Sequence, residues 1–424
     1  GLAFGKYIGR KKVVLGMDAR TSSPSLKKSL VKGLTLTGNK IVDIGLCTTP
    51  MTDFGTWTLK ANYGTMITAS HNPSSYNGIK FVKNVNGNVL QIGMNEGLKD
   101  IKKIFSEINN TTSNGKKKGK TNRRILKLYV SYLLKKLEKR SGLRIVIDYG
   151  NGVGSIPTIP FFKSTKFETT HLFSDPDPKF SNHLPNPSEE KNFRYLKKEV
   201  KKQGADLGIL FDGDADRAIP VDEKGKVVWG DILFGILAVE ELKKLGGGKI
   251  YYDLRVTKTL PEEIKKFGGT PIKMRVGNPY YKEKLSREGI MAGEVSGHIM
   301  YRENHCIDDG LFAMIKLINI LTKTKVGLSE LSVPFRKYYR SGEKNFAVSK
   351  RKEVISKIEK FYSKLGGKIS KLDGITVEFE DWWFNLRPSN TENFLRLIVE
   401  SVDKKTMKKK LKEVERLIKK YSHE

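Results

Sequence analysis

"ADLGILFDGDADR", Ala205 to Arg217, is an apolar run that ends on three aspartates at alternate positions, Asp212, Asp214 and Asp216. A short apolar run bounded by a polar turn reads as a strand feeding a loop. The same pattern stands upstream in "LRIVIDYGNGVG" (Leu143 to Gly154), where the strand runs into a Gly-rich turn. It starts again downstream in "GKIYYDLR" (Gly248 to Arg255), followed by a helix-like stretch, Lys258 to Phe267, and the strand "TPIKMRVG" (Thr270 to Gly277). Nearer the start, "KKVVLGMD" (Lys11 to Asp18), a helix-like Ser25 to Gly38, "KIVDIG" (Lys40 to Gly45) and "YGTMITAS" (Tyr63 to Ser70) follow the same rhythm. Three loosely similar α/β segments are therefore expected. The ending differs: strand-like "GITVEFED", "WWFNLRPS" and "FLRLIVES", then a helix from about Lys404, read as a small α+β domain. The polar passage "NNTTSNGKKKGKTN", Asn109 to Asn122, marks the close of the first domain.

The 424 residues are ample for several domains. With 78 Lys+Arg against 46 Asp+Glu the net charge is +32, which attracts polyanions and steers small anions. The lysines are spread along the chain in short clusters, as on solvated helix faces. Cys47 and Cys306 lie far apart with no metal-binding spacing, so neither a zinc site nor a disulfide framework is expected. Two reduced cysteines suit the cytosol. No apolar run reaches the roughly 18 residues that span a bilayer, so a cytoplasmic protein without a membrane partner is expected.

Four loops carry chemistry. Three carboxylates crowded after one strand repel one another, which makes a dication their natural partner, and oxygen ligands favour Mg²⁺ or Ca²⁺. An EF-hand is excluded although Glu223 stands twelfth from Asp212, because Arg217 occupies the turn position that needs Gly. "AGEVSGH" (Ala292 to His298) sets Glu294, Ser296 and His298 between glycines, a group suited to a polyhydroxylated substrate with one proton to move. "LRPSNTEN" (Leu386 to Asn393) puts Arg387, Ser389, Asn390 and Thr391 in one turn, the equipment for grasping a phosphate dianion. "GTMITASHNPSSYNGIK" (Gly64 to Lys80) sets Ser70 beside His71. Acyl transfer would need an acid behind the histidine and no metal. The set instead suits phosphoryl transfer, in which a metal screens charge and the protein positions the partners. Ser70 is thus expected to carry phosphate.

The loops "TASHNP", "DGDADR", "GEVSGH" and "RPSNTEN" resemble, in order and spacing, those of the α-D-phosphohexomutases, specifically the phosphomannomutase/phosphoglucomutase branch. The resemblance runs through nearly the whole chain. It implies three related α/β domains around a cleft followed by a C-terminal α+β domain. It also implies an isomerase that moves phosphate between the 1 and 6 positions of a hexose through a phosphoserine and a hexose 1,6-bisphosphate that turns over in the site. Placed on this sequence, it gives a phosphoserine domain 1–120, a metal-binding domain 121–228, a sugar-binding domain 229–328 and a phosphate-binding domain 329–424. Ser70 is the implied phosphoserine, binding Mg²⁺ together with Asp212, Asp214 and Asp216. Lys80 matches a lysine assigned to proton transfer, which as a base needs a depressed pKa. His298 is a second proton-transfer candidate. Arg20, Ser22 and Arg217 match positions lining the phosphate. Glu294 and Ser296 would hold sugar hydroxyls, Arg255 would contact substrate, and Arg387, Ser389, Asn390 and Thr391 would hold the non-reacting phosphate. Phosphorylated hexoses are the implied partners, of a monomer or a homodimer.

Three departures stand out. Family members open with a strand and a "YDIRG"-like segment, whereas this chain begins at "GLAFGKYIG", resembling the first helix, so the first domain is expected to be truncated. Asn278 stands in "VGNP" where members carry His, and Asn393 where they carry Pro. "EDWWFNLRPSNTE" and "GEVSGHIMYREN" favour mannose or glucose over glucosamine as the sugar. The alternatives are a phosphoglucosamine mutase, a catalytically impaired relative that binds phosphosugars, and a basic nucleic-acid-binding protein. The last predicts basic stretches interleaved with stacking aromatics, but the aromatics here lie mostly in apolar strand-like runs.

Overall fold

A computed structural model describes residues 1–108, 120–121, 124–389 and 393–423. Apart from Lys120 and Thr121, the polar passage Asn109 to Asn122 lies outside the described residues. Three sheets share one connection pattern. In the first, strand Lys12–Met17 lies between parallel partners Lys40–Leu46 and Tyr63–Ile67. In the second, Ser141–Asp148 lies between Lys166–Leu172 and Leu207–Phe211; in the third, Gly248–Asp253 lies between Gly269–Met274 and Met291–Gly293. Each third parallel strand then turns through a loop into an antiparallel return strand: Ile79–Val85, Ala218–Val221 and Ile299–Tyr301. The first sheet adds Asn88–Gln91 at one edge and Lys120–Thr121 at the other.

The turn after each central strand is also shared. A carboxylate at the strand's end accepts from the backbone N–H two residues on: Asp18 from Arg20 (3.1 Å), Asp148 from Gly150 (2.9 Å) and Asp253 from Arg255 (2.8 Å). Such Asx turns fix the chain's exit from the strand.

Every residue of Leu207–Phe211 is buried, as a strand covered by helices on both faces must be. Helices Gly230–Leu245 and Gly310–Thr324 are buried nearly all round. One continuous core therefore runs from Met51 and Phe54 through Ile147 and Phe211 to Leu237, Leu311 and Phe335. The fourth sheet has a separate core. Its strands Tyr339–Arg340, Phe394–Ser401, Trp382–Pro388, Ile375–Glu378 and Lys368–Ser370 pair antiparallel in that spatial order, with Lys344–Ala347 also on Phe394–Ser401. Helices Arg351–Lys364 and Lys404–His423 cover it through Val354, Ile358, Tyr362, Val414 and Ile418. Polar contacts join this unit to the third sheet: Lys273 to Glu378 at 3.0 Å, Val276 N to Asp373 at 3.2 Å and Lys258 N to Glu400 at 2.9 Å. Among the described residues no helix is long and apolar enough to cross a membrane.

Candidate active site

The three return loops carry Ser70, the three aspartates, and Glu294, Ser296 and His298, so equivalent places in three repeats meet at the site. The first follows Tyr63–Ile67. Ser70 has φ of 51°, the left-handed region that costs a non-glycine residue energy and clusters at functional turns. Its N–H donates to Thr68 Oγ1 at 2.9 Å. Arg20 holds the loop: its fully buried guanidinium donates to the carbonyls of Ser70 (2.8 Å), Asn72 (2.7 Å), Pro73 (2.6 Å) and Tyr76 (3.0 Å), and to Asp18 (3.0 Å). Arg20 therefore shapes the serine loop through its backbone carbonyls. Ser22 Oγ accepts from Asn77 Nδ2 at 2.9 Å.

The second loop, after Leu207–Phe211, meets the first. Ser70 Oγ donates to Asp212 Oδ2 at 2.7 Å, and Arg217 Nη2 approaches Ser70 Oγ at 3.1 Å and Asp212 at 2.9 Å. The close approach requires Gly213, where a Cβ would stand 2.4 Å from the carbonyl oxygen of Ser70. His71 Nδ1 is 3.2 Å from Ser70 Oγ, but it also contacts Arg217. Burial and that guanidinium push the imidazole down to about 3, and among the described residues no carboxylate hydrogen-bonds His71. A Ser–His–acid triad is absent at this site among the described residues.

Ligand oxygens of Asp212, Asp214 and Asp216 lie within 4.8 Å of one another, and all three side chains are buried. Asp214 Oδ1 and Asp216 Oδ1 have no hydrogen-bond partner among the described residues. Buried carboxylate oxygens left unpaired are costly, and these fit an oxygen-liganded dication. Burial raises the pKa of Asp212, and Asp216 adds to the rise. Asp214, equally buried, is held low by Lys80. Lys80 Nζ lies 2.6 Å from both Asp214 and Asp216. Burial opposes its charge, but the carboxylates of Asp214, Asp216, Asp212 and Asp308 outweigh it and hold the ammonium well above its usual range.

The third loop touches the second through a backbone bridge between Arg217 and His298. His298 Nδ1 is 3.0 Å from Asp308 Oδ2 and 3.8 Å from Asp216 Oδ1. Burial lowers its pKa, but Asp216 and Asp308 outweigh that and raise it. Glu294 accepts from Gly277 N (3.2 Å) and Ser296 Oγ (2.9 Å). Arg255 Nε donates to Asp253 at 2.8 Å. In the fourth unit Arg387 is buried at the end of Trp382–Pro388, and Ser389 N donates to the carbonyl of Phe394 at 2.8 Å. Asn390 and Thr391 lie outside the described residues.

Against known families, phosphoglucomutase/phosphomannomutase alpha/beta/alpha domains I, II and III match residues 1–112, 127–225 and 229–338, and the C-terminal domain matches 343–417. The chain belongs to the phosphoglucomutase/phosphomannomutase family. It is 36% identical to a phosphomannomutase of Methanocaldococcus jannaschii over 99% of this chain and 92% of that protein. A phosphomannomutase of Escherichia coli K12 is 33% identical over 95% of this chain and 90% of its own length. A solved phosphoglucomutase/phosphomannomutase family protein from Burkholderia thailandensis superposes with a TM-score of 0.86 at 28% identity, covering 99% of this chain and 92% of that one.

Several residues around these loops escape sequence reading. Thr49 Oγ1 donates to Asp214 Oδ2 at 2.5 Å from the first turn of helix Thr49–Thr58, whose start was legible in Thr48 as cap followed by Pro50. Phe180 lies under the Arg20 guanidinium, 5.0 Å from ring centroid to carbon, in the turn-rich "KFSNHLPNP" whose density of Pro and Asn was a readable sign. Asp308 is held by Asn278 Nδ2 (2.5 Å) and by the buried Lys282 (2.6 Å), which also reaches Asp53 (3.3 Å). No spacing signal links Lys282 to Asp53, because 229 residues separate them.

Proposed function

We propose that this chain interconverts hexose 1-phosphates and hexose 6-phosphates, of mannose, glucose or both, through a phosphoserine at Ser70 and a hexose 1,6-bisphosphate. The observation that carries the reading is the approach of Ser70 Oγ to Asp212 (2.7 Å) and Arg217 (3.1 Å) beside three buried carboxylates with two unpaired oxygens. Asp212, Asp214 and Asp216 would hold Mg²⁺ with an oxygen of the phosphoserine. The ion would screen phosphoryl charge and make the phosphorus easier to attack.

In the first half-reaction the P–Oγ bond of phosphoserine 70 breaks as a bond forms from phosphorus to the free sugar hydroxyl. His298, with Nδ1 turned to Asp308, accepts the hydroxyl proton at its other ring nitrogen. Arg217 bears on the charge developing at Ser70 Oγ. Lys80, 2.6 Å from Asp214 and Asp216, is a second group for proton transfer beside the aspartates. Glu294 and Ser296 hold sugar hydroxyls, while Arg255, Arg387 and Ser389, with Asn390 and Thr391, hold the non-reacting phosphate. The bisphosphate then turns over and returns its other phosphate to Ser70. Incubation with glucose 1,6-bisphosphate and Mg²⁺, followed by peptide mass spectrometry, should find phosphate on Ser70. Phosphate on no residue, or on another residue only, contradicts the reading.

A further inference from the structure

Glu343 lies between strands Tyr339–Arg340 and Lys344–Ala347, both of which pair with Phe394–Ser401. Its carboxylate collects three guanidinium groups. Arg255 Nη1 is 3.3 Å and Arg387 Nη2 3.2 Å from Oε2, and Arg396 Nη1 is 3.1 Å from Oε1. One oxygen therefore joins the turn after the third sheet's central strand to the strand that leads into the phosphate loop. Burial opposes ionisation of Glu343, yet the arginines outweigh it and hold the carboxyl below its usual range. Arg387 is 3% exposed, and its Nε has no hydrogen-bond partner among the described residues. Arg387 thus keeps an N–H unused among the described residues, beside a second guanidinium that Asp253 also holds at 2.8 Å.

We propose that Glu343 is a resident anion in the phosphate grip: it sits on the guanidinium donors that the non-reacting phosphate needs, and the sugar phosphate displaces it from Arg387 and Arg255. The proposal rests on the reading of those two arginines as phosphate-holding groups. A phosphate dianion brings more acceptors and more charge than one carboxylate, and guanidinium forks match it bidentately. The Glu343 side chain is 27% exposed, so it has solvent to move into. Two consequences follow from the geometry. The arginines never face one another without an intervening anion, and phosphate affinity is reduced by competition with the carboxylate. A bisphosphate that must leave this grip at one end and enter it at the other gains from that reduction, since uniformly tight binding does not raise turnover.

The test is calorimetric binding of glucose 6-phosphate and of inorganic phosphate, at one ionic strength, to wild type, Glu343→Gln, Arg387→Ala and the double variant. Glutamine keeps size and hydrogen bonding and removes the charge. Glu343→Gln should bind both ligands about threefold or more tightly. The gain should vanish in the Arg387→Ala background, and KM should fall with kcat no higher than in wild type. Unchanged or weaker binding, or loss of the folded state in Glu343→Gln, overturns the proposal and makes Glu343 a brace for the arginines. Undiminished binding by Arg387→Ala overturns the phosphate-grip reading itself, and is recognisable because Glu343 is intact in that variant.

Discussion

His183 shows how much one buried charge contributes away from the reaction. Its Nε2 lies 3.0 and 3.1 Å from the two oxygens of Asp148, at the turn after the second sheet's central strand. Burial disfavours the imidazolium, but the hydrogen bond and charge of Asp148 outweigh it, so the folded pKa is raised. The folded state then binds the proton more tightly than the unfolded state. The resulting stabilisation is fully present below the unfolded value of about 6.5 and fades as pH rises through the higher folded value. His183→Gln should lower stability by about 1.5–3 kcal/mol at pH 6. The gap to wild type should narrow toward pH 9, read by urea unfolding at each pH; a gap constant with pH contradicts the ion pair. Lys80 marks the limit of reading single residues. Its place ten after Ser70 was legible, but the sign of its pKa shift depends on which carboxylate oxygens it meets across the fold, and those lie more than 130 positions away.

The elements were more legible than their pairing. Continuous apolar runs such as "LGILF" identify the parallel strands, because a strand covered on both faces needs no polar alternation. The return strands Ala218–Val221 and Ile299–Tyr301 are too short to show any period, so the equivalence of the three loops emerges only from the sheets. That equivalence explains why Ser70, the aspartates and His298 meet. The approach of the first two loops depends on Gly213, with no room for a Cβ against the Ser70 carbonyl. Gly213→Ala should force the loops apart and lower turnover by about 10²-fold, the scale of displacing a reacting group by about 1 Å. Its thermal unfolding should stay within a few degrees of wild type. Full activity in Gly213→Ala would show that the loops need not touch.

At the scale of the molecule, one core runs through all three α/β units, beside smaller clusters, and the fourth unit has its own. Within the shared body the first and third units are pinned by Lys282, 2% exposed at its side chain, between Asp53 and Asp308. Removing one partner of a buried ion cluster leaves the others uncompensated. Lys282→Met should cost about 3–5 kcal/mol in urea unfolding, and Asp53→Asn in that background should recover part of it. No recovery would mean that Asp53 is not strained by the loss. The net charge of +32 steers anions and accords with a phosphorylated substrate, but charge alone did not select the reaction. The four loops did. The most direct measurement is the conversion of mannose 1-phosphate and glucose 1-phosphate to their 6-phosphates, with Mg²⁺ and a trace of glucose 1,6-bisphosphate, by wild type and Ser70→Ala. The account predicts turnover in wild type and its loss in Ser70→Ala, with the ratio of the two rates reporting the preferred sugar. Equal turnover by both proteins would contradict a phosphoserine at Ser70.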